Sequence, residues 1–176
     1  DLLKSSPDKF SKLDGKQLVK KKVKQLVCMA GRFPGGSEFN VRMDAAASKY
    51  VFDTWETPVL LSGVEIGVRI KTGLPLIHNE TIHKSPVKDV FRICIPQDMQ
   101  DTAGRMSWDE TAVLVAVKGY EPWYEVTKGK MVVDADGNDT WSTGTSMHGY
   151  LVEKLPPAIV EKLINRLIMH QPAIKK

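Results

Sequence analysis

The chain of 176 residues is 42% hydrophobic, 26% charged and 7% aromatic, with 13 Gly and 10 Pro. That balance excludes disordered, collagen-like and fibrous classes, and the length suits one domain of roughly 100–200 residues with a real core. The net charge of +4 is mild, and no apolar run approaches the roughly 20 residues that cross a bilayer, so no membrane span is expected.

Ser6-Pro7-Asp8 opens a short helix or turn within 4–14, closed by Gly15. Lys16, Lys20, Lys21, Lys22 and Lys24 then cluster. No aromatic residues interleave with them, so they read as a solvated surface rather than a nucleic-acid footprint. Residues 23–30 (VKQLVCMA) form an apolar run of strand length, and 31–37 (GRFPGGS) a loop. Asp44 caps an expected helix over 45–54; 58–62 (PVLLS) is a second buried strand; a helix follows over 63–72 and is closed by Gly73. Residues 74–84 read as irregular, 85–99 as a helix starting at Ser85-Pro86, and 101–107 as a loop. Trp108 begins an apolar helix to 117, with Asp109 and Glu110 in its positively polarised first turn. Short strands are expected at 124–127, 131–133, 141–142 and 150–151, with hairpin turns at Lys128-Gly129-Lys130 and Asp136-Gly137. A last helix spans 157–170.

Buried strands alternating with helices predict an α/β domain: an open, mostly parallel sheet with flanking helices, and a β-hairpin region near 120–150. Such sheets bind ligands in loops beyond the carboxyl ends of their strands, which directs attention to the loop after residue 30. Glu38 and Asn40 lie there, two apart, so on an extended backbone they face one side and suit a polyhydroxylated ligand. On spacing alone, a Glu capping a helix and an Asn in a turn are the better account of them. Trp108 and Asp109 offer an indole face and a carboxylate at a loop-to-helix junction; a packed ring and a first-turn Asp are the plainer account. Arg105 reads as a surface residue. The stretch 134–139 (DADGND) fails the EF-hand template and reads as a turn, and His78, His83, His148 and His170 have no zinc spacing. Cys28 and Cys94 read as small buried hydrophobes. Nucleophile-elbow and nucleotide-phosphate motifs are absent.

Val27-Cys28-Met29-Ala30-Gly31, then Glu38-Phe39-Asn40 and Asp44-Ala45-Ala46-Ala47, then Ser107-Trp108-Asp109-Glu110-Thr111-Ala112-Val113 together resemble the inosine-uridine-preferring nucleoside hydrolase family over about residues 1–120. The resemblance implies an open α/β fold and hydrolysis of the N-glycosidic bond of ribonucleosides around a tightly held Ca²⁺. It makes Asp109 a Ca²⁺ ligand, Glu38 and Asn40 partners of ribose hydroxyls, Met29 the floor under the sugar, and Trp108 a stacking plate for the leaving base, as in purine-preferring members. An oxocarbenium-like transition state at the anomeric carbon fits these groups. The family's Asp-rich motif (D-x-D-x-x-x-D-D), which supplies most metal ligands and the catalytic base, does not occur in these residues. The first residue is Asp and no leader-type segment follows it, so the chain is expected to be the C-terminal part of such an enzyme. It would then be inactive alone and completed by an N-terminal portion or by homo-oligomer formation. A non-catalytic nucleoside- or sugar-binding module, or a decayed paralogue, is the alternative expectation. The ligand expected is a nucleoside or ribose, and nucleic acid is not expected.

Overall fold

The computed structural model describes residues 1–172; of the expected C-terminal region over 151–176, residues 173–176 lie outside it. The first α-helix, α1 (Gly15–Lys22), starts at a reciprocal cap. The Asp14 carboxylate accepts the Gln17 amide, and the Gln17 side chain accepts the Asp14 amide. Of the helix or turn expected within 4–14, a turn forms, with the Asp8 carboxylate accepting the Phe10 and Ser11 amides, and the helix begins only at Gly15. Lys16, Lys20, Lys21 and Lys22 of the lysine cluster lie on that helix, the last three at its negatively polarised end, and Lys24 follows it.

Strand β1 (Leu26–Met29) leads through Gly31 (φ 84°) into a short strand, β2 (Gly35–Ser37). The region read as loop thus contains a strand. Two capped helices follow. In α2 (Phe39–Met43) the cap is Glu38, and in α3 (Ala45–Thr54) it is Asp44, which accepts the Ala47 amide. Strand β3 (Val59–Ser62) is wholly buried. Where one helix over 63–72 was expected, a single turn, α4 (Val64–Gly67), gives way to β4 (Lys71–Thr72). The chain continues through α5 (Leu74–Ile77), α6 (Pro86–Cys94), β5 (Arg105–Met106) and α7 (Trp108–Lys118). It ends with β6 (Tyr124–Val133), β7 (Asn138–Ser142), β8 (His148–Glu153) and α8 (Pro157–Ile168).

Six strands form one sheet in the order β1-β3-β8-β6-β7-β2, and β4 pairs with β5 separately. The β1–β3 and β3–β8 pairings are parallel, whereas β8–β6, β6–β7 and β7–β2 are antiparallel. The fold is α/β, with a mixed sheet in place of the mostly parallel one expected, and the region over 124–153 joins that same sheet. The correction turns on Gly129. It is not a turn residue: β6 runs through it without a break, and it makes room for a neighbouring ring. A Cβ at this position would lie 2.5 Å from Trp141 Nε1, so only glycine lets the indole of β7 lie against β6.

Alternation along β3 splits the core between two faces. Leu60 packs with Ile66, Leu114, Val115, Tyr124 and Val160, beneath α4, α7 and α8. Leu61 packs with Val41, Phe52, Met131 and Val133, beneath α2 and α3. The aromatic residues late in the chain are therefore structural: Tyr124 is fully buried, Trp123 packs on the first cluster, and Trp141 joins the second. No described helix is long and apolar enough to cross a membrane.

Candidate functional site

The carboxyl ends of the parallel strands β1 and β3 open onto a cleft of about 530 Å³, where ligands of α/β sheets collect. Met29 ends β1, Val64 follows β3, Glu38, Phe39 and Asn40 come from the start of α2, and Trp108 and Asp109 from the start of α7; Arg32, Ser37 and Arg105 complete the lining. All five residues singled out from the sequence, Met29, Glu38, Asn40, Trp108 and Asp109, line this one cleft. Cys28, one residue inside β1, feels both acidic groups: burial first, then the Glu38 and Asp109 charges, push its thiol up to about 11. It is therefore protonated and inert at neutral pH.

Glu38 is almost wholly buried and serves as a structural cap. Oε1 accepts the Asn40 amide at 2.9 Å, and Oε2 accepts the Val41 amide at 3.1 Å and the Gly31 amide at 3.3 Å. The carboxylate thus ties the start of α2 to the end of β1. Asn40 is exposed and leans on β1: its Nδ2 donates to the Met29 carbonyl (3.4 Å) and contacts Met29 Sδ at 3.1 Å. Its side-chain carbonyl oxygen takes no bond among the described residues and is available to a ligand hydroxyl.

Trp108 is fixed from two sides. Its indole N–H donates to the Val64 carbonyl at 3.1 Å, and the Arg105 guanidinium lies 5.6 Å from the ring centroid, within cation–π range. The close approach of α7 to α4 depends on Gly67, since a Cβ there would fall 2.4 Å from Trp108 Cα and 2.7 Å from its Cδ1. Gly67→Ala is expected to push the first turn of α7 outward. It should lower unfolding free energy by about 1–2 kcal/mol and change the near-ultraviolet circular dichroism of the indole. An unchanged melting point and spectrum would refute this account of the packing.

The network that holds the loop after β1 was not legible from the sequence. Three successive amides after β1 each meet a different carboxylate. Gly31 N–H donates to Glu38 at 3.3 Å, Arg32 N–H to both oxygens of Asp139 at 3.1 Å, and Phe33 N–H to Glu65 Oε2 at 3.3 Å. The Phe33 ring then stacks on Tyr150 (centroids 4.5 Å apart, planes at 6°) and meets Trp141 edge-on at 5.5 Å. Asp139 comes from β7, 107 residues from Arg32. The sequence presents it only as part of a hairpin turn, so no local signal marks it. Burial pushes its carboxyl up to about 6, with the Glu65 and Glu38 charges adding to the effect and the Arg32 amide opposing it. Burial likewise raises Glu65.

The donor set of the cleft falls short of what the Ca²⁺ implied by the resemblance requires. Calcium takes six to eight oxygens. Both Glu38 oxygens already accept backbone amides, which leaves Asp109 as the carboxylate of the cleft with no internal partner. Among the described residues no three His, Cys, Asp or Glu side chains come together in a metal-holding group. This chain's own residues therefore do not fit a calcium ion by themselves. No protein-family model matches the chain, and no curated protein matches it.

Proposed function

We propose that this chain supplies the base- and sugar-binding wall of an N-ribohydrolase acting on purine nucleosides. The observation that supports the reading is the convergence on one cleft of an indole plate, an exposed amide, a carboxylate and a methionine from separate stretches of sequence. In this reading the base lies on Trp108, the ribose hydroxyls meet Asn40, and the ring rests over Met29. Glu38 contributes mainly by holding Asn40 in place; Oε1, with one amide bound, has a lone pair left for a hydroxyl. Asp109 is the residue available to offer an oxygen to a cation, and the remaining ligands and the base that activates water would come from outside the described residues. The hydrolytic step is therefore not assigned to any residue of this chain.

A second reading, a nucleoside- or sugar-binding module without turnover, is favoured by the commitment of Glu38 to three backbone amides and by the lone free carboxylate. Calorimetry with inosine and with ribose, with and without Ca²⁺, tests the site. Inosine is expected to bind, and Trp108→Ala is expected to weaken it by about 5- to 150-fold, since stacking one base is worth about 1–3 kcal/mol, while leaving ribose affinity unchanged. Failure of inosine to bind, or indifference to the Trp108 substitution, would remove both readings. Chromatography for free base, run on the chain completed by the N-terminal portion that the first reading requires, with Ca²⁺, then separates them: release supports the hydrolase, and stable binding without release supports the module.

A further inference from the structure

Helix α6 (Pro86–Cys94) is apolar over more of its surface than its own chain covers. Ser85 caps it by accepting the Lys88 amide. Phe91, and Ile95 just beyond the helix, face inward and pack with Leu76 and Ile82 in a small cluster of their own. Val87, Val90 and Ile93 follow one another at three-residue spacing and so share a side of the helix. They are turned outward, 43%, 61% and 60% exposed. A continuous apolar line bordered by charge, unlike scattered single residues, marks an interaction surface. The charges beside the line decide what fits it. Asp89 and Arg92 border it on one side, both more than half exposed, with Arg92 Nη2 at 3.4 Å from Asp89 Oδ1. Lys88 is engaged within the chain: its Nζ donates to the Asn79 and Ile82 carbonyls at 2.8 and 2.9 Å. This helix face therefore offers one free acid and one free base and no net charge, although the chain as a whole carries +4. It selects neither an acidic nor a basic partner. It is its own complement.

We propose that the outer face of α6 is the interface of a weak homodimer, in which α6 packs antiparallel on α6 of a second copy. The twofold axis crosses the two helices between residues 90 and 91. Positions 89 and 92 are equally far from that axis, so Asp89 of each copy comes opposite Arg92 of the other, and the contact is made twice. Ile93 lies level with the gap between Val87 and Val90 of the second copy, which lets the apolar lines interdigitate. A parallel arrangement would set Asp89 beside Asp89 and Arg92 beside Arg92, and like charges in contact are costly. One face of a nine-residue helix is at the small end of specific interfaces, so the association is weak and depends on concentration. Because α6 contributes no residue to the cleft, the dimer stands apart from the nucleoside reading.

Sedimentation equilibrium across protein concentrations up to about 1 mM, the weak end of specific association, tests the proposal. The wild type is expected to shift from monomer to dimer over that range. Val90→Asp, which places a charge at the centre of the apolar line, is expected to leave a monomer. Asp89→Arg alone sets Arg opposite Arg, and Arg92→Asp alone sets Asp opposite Asp, twice in each case. Each variant is expected to self-associate at least about tenfold more weakly than the wild type. Mixed in equal amounts, the two variants should form a heterodimer about as tight as the wild-type dimer, because every charge then faces its opposite. Positions 89 and 92 are solvent-exposed, so these substitutions leave the fold intact, and circular dichroism checks it. A wild type that stays monomeric throughout would overturn the proposal. So would a dimer indifferent to Val90→Asp, which places the contact on another face, or folded charge variants that fail to associate on mixing.

Discussion

Replacing Glu38 with Ala is expected to lower the free energy of unfolding by about 3–5 kcal/mol, since each buried donor left unsatisfied costs about 1–3 kcal/mol. The carboxylate is 4% exposed and accepts three backbone amides, from Gly31, Asn40 and Val41. An alanine removes all three acceptors. The helix it caps, α2, has five residues, far too few to persist on intrinsic propensity, so its start depends on this cap and on packing of Val41. Asn40 is carried on the same helix, so its place in the cleft should be lost along with stability. Glu38→Gln keeps one acceptor oxygen and turns an NH₂ toward an amide donor, so its cost should fall between wild type and alanine. Urea unfolding at neutral pH measures both: the midpoints should order as wild type, Gln, Ala, with the slope unchanged. An alanine variant that unfolds at the wild-type midpoint would show that the three amides find water or other partners, and that Glu38 is free for a different task.

The parts of the fold that the sequence discloses are those whose signal is local. The apolar runs of β1 and β3, the Asp44 cap, the first turn of α7 and the amphipathic spacing of α8 each depend on residues within a turn or two, and each element stands within a few residues of its expected place. What was missed depends on distant partners. Gly35-Gly36-Ser37 carries no strand pattern and becomes β2 only because β7 supplies the ladder, with Gly36 opposite Asp139. Gly129 looks like a hairpin glycine, whereas its lack of a side chain serves the Trp141 indole on the neighbouring strand. The same division runs through the cleft and the loop that borders it. Glu38, Asn40, Trp108 and Asp109 were visible because a short stretch of wording carries them. Arg32 and Asp139 were not, because a backbone amide has no sequence signature and its acceptor lies across the sheet. The Glu38 side chain illustrates the limit from the other direction. Its spacing favours a helix cap while the resemblance implies a sugar ligand, and the three amide distances show that the cap is built.

Asp139→Asn is expected to be more stable relative to wild type at pH 7.5 than at pH 4, by up to about 3 kcal/mol. Asp139 is fully buried on β7, and its carboxyl is pushed up to about 6, chiefly by burial, with the Glu65 and Glu38 charges facing it and the Arg32 amide opposing. In the unfolded chain an Asp titrates near 3.9, and each unit of difference is worth about 1.4 kcal/mol. Between those two values the folded chain holds more protons than the unfolded one, so stability falls as pH rises through the window. Below about pH 4 both states are protonated at this residue and its contribution is fully present; above about pH 6 the charged form is buried and that contribution is gone. Asparagine keeps an oxygen for the Arg32 amide and has no charge to bury, so it escapes the loss. Urea unfolding of both proteins at pH 4, 5, 6 and 7.5 should therefore give two stability curves that separate across the middle of the range. The loop over 31–33 should follow the same order: exchange of the Arg32 amide, after correction for its intrinsic pH dependence, should speed up in the wild type above pH 6 and stay flat in Asp139→Asn. Parallel stability curves would mean that the Asp139 carboxylate is already ionised in the fold at low pH, with the Arg32 amide outweighing both burial and the two neighbouring acids.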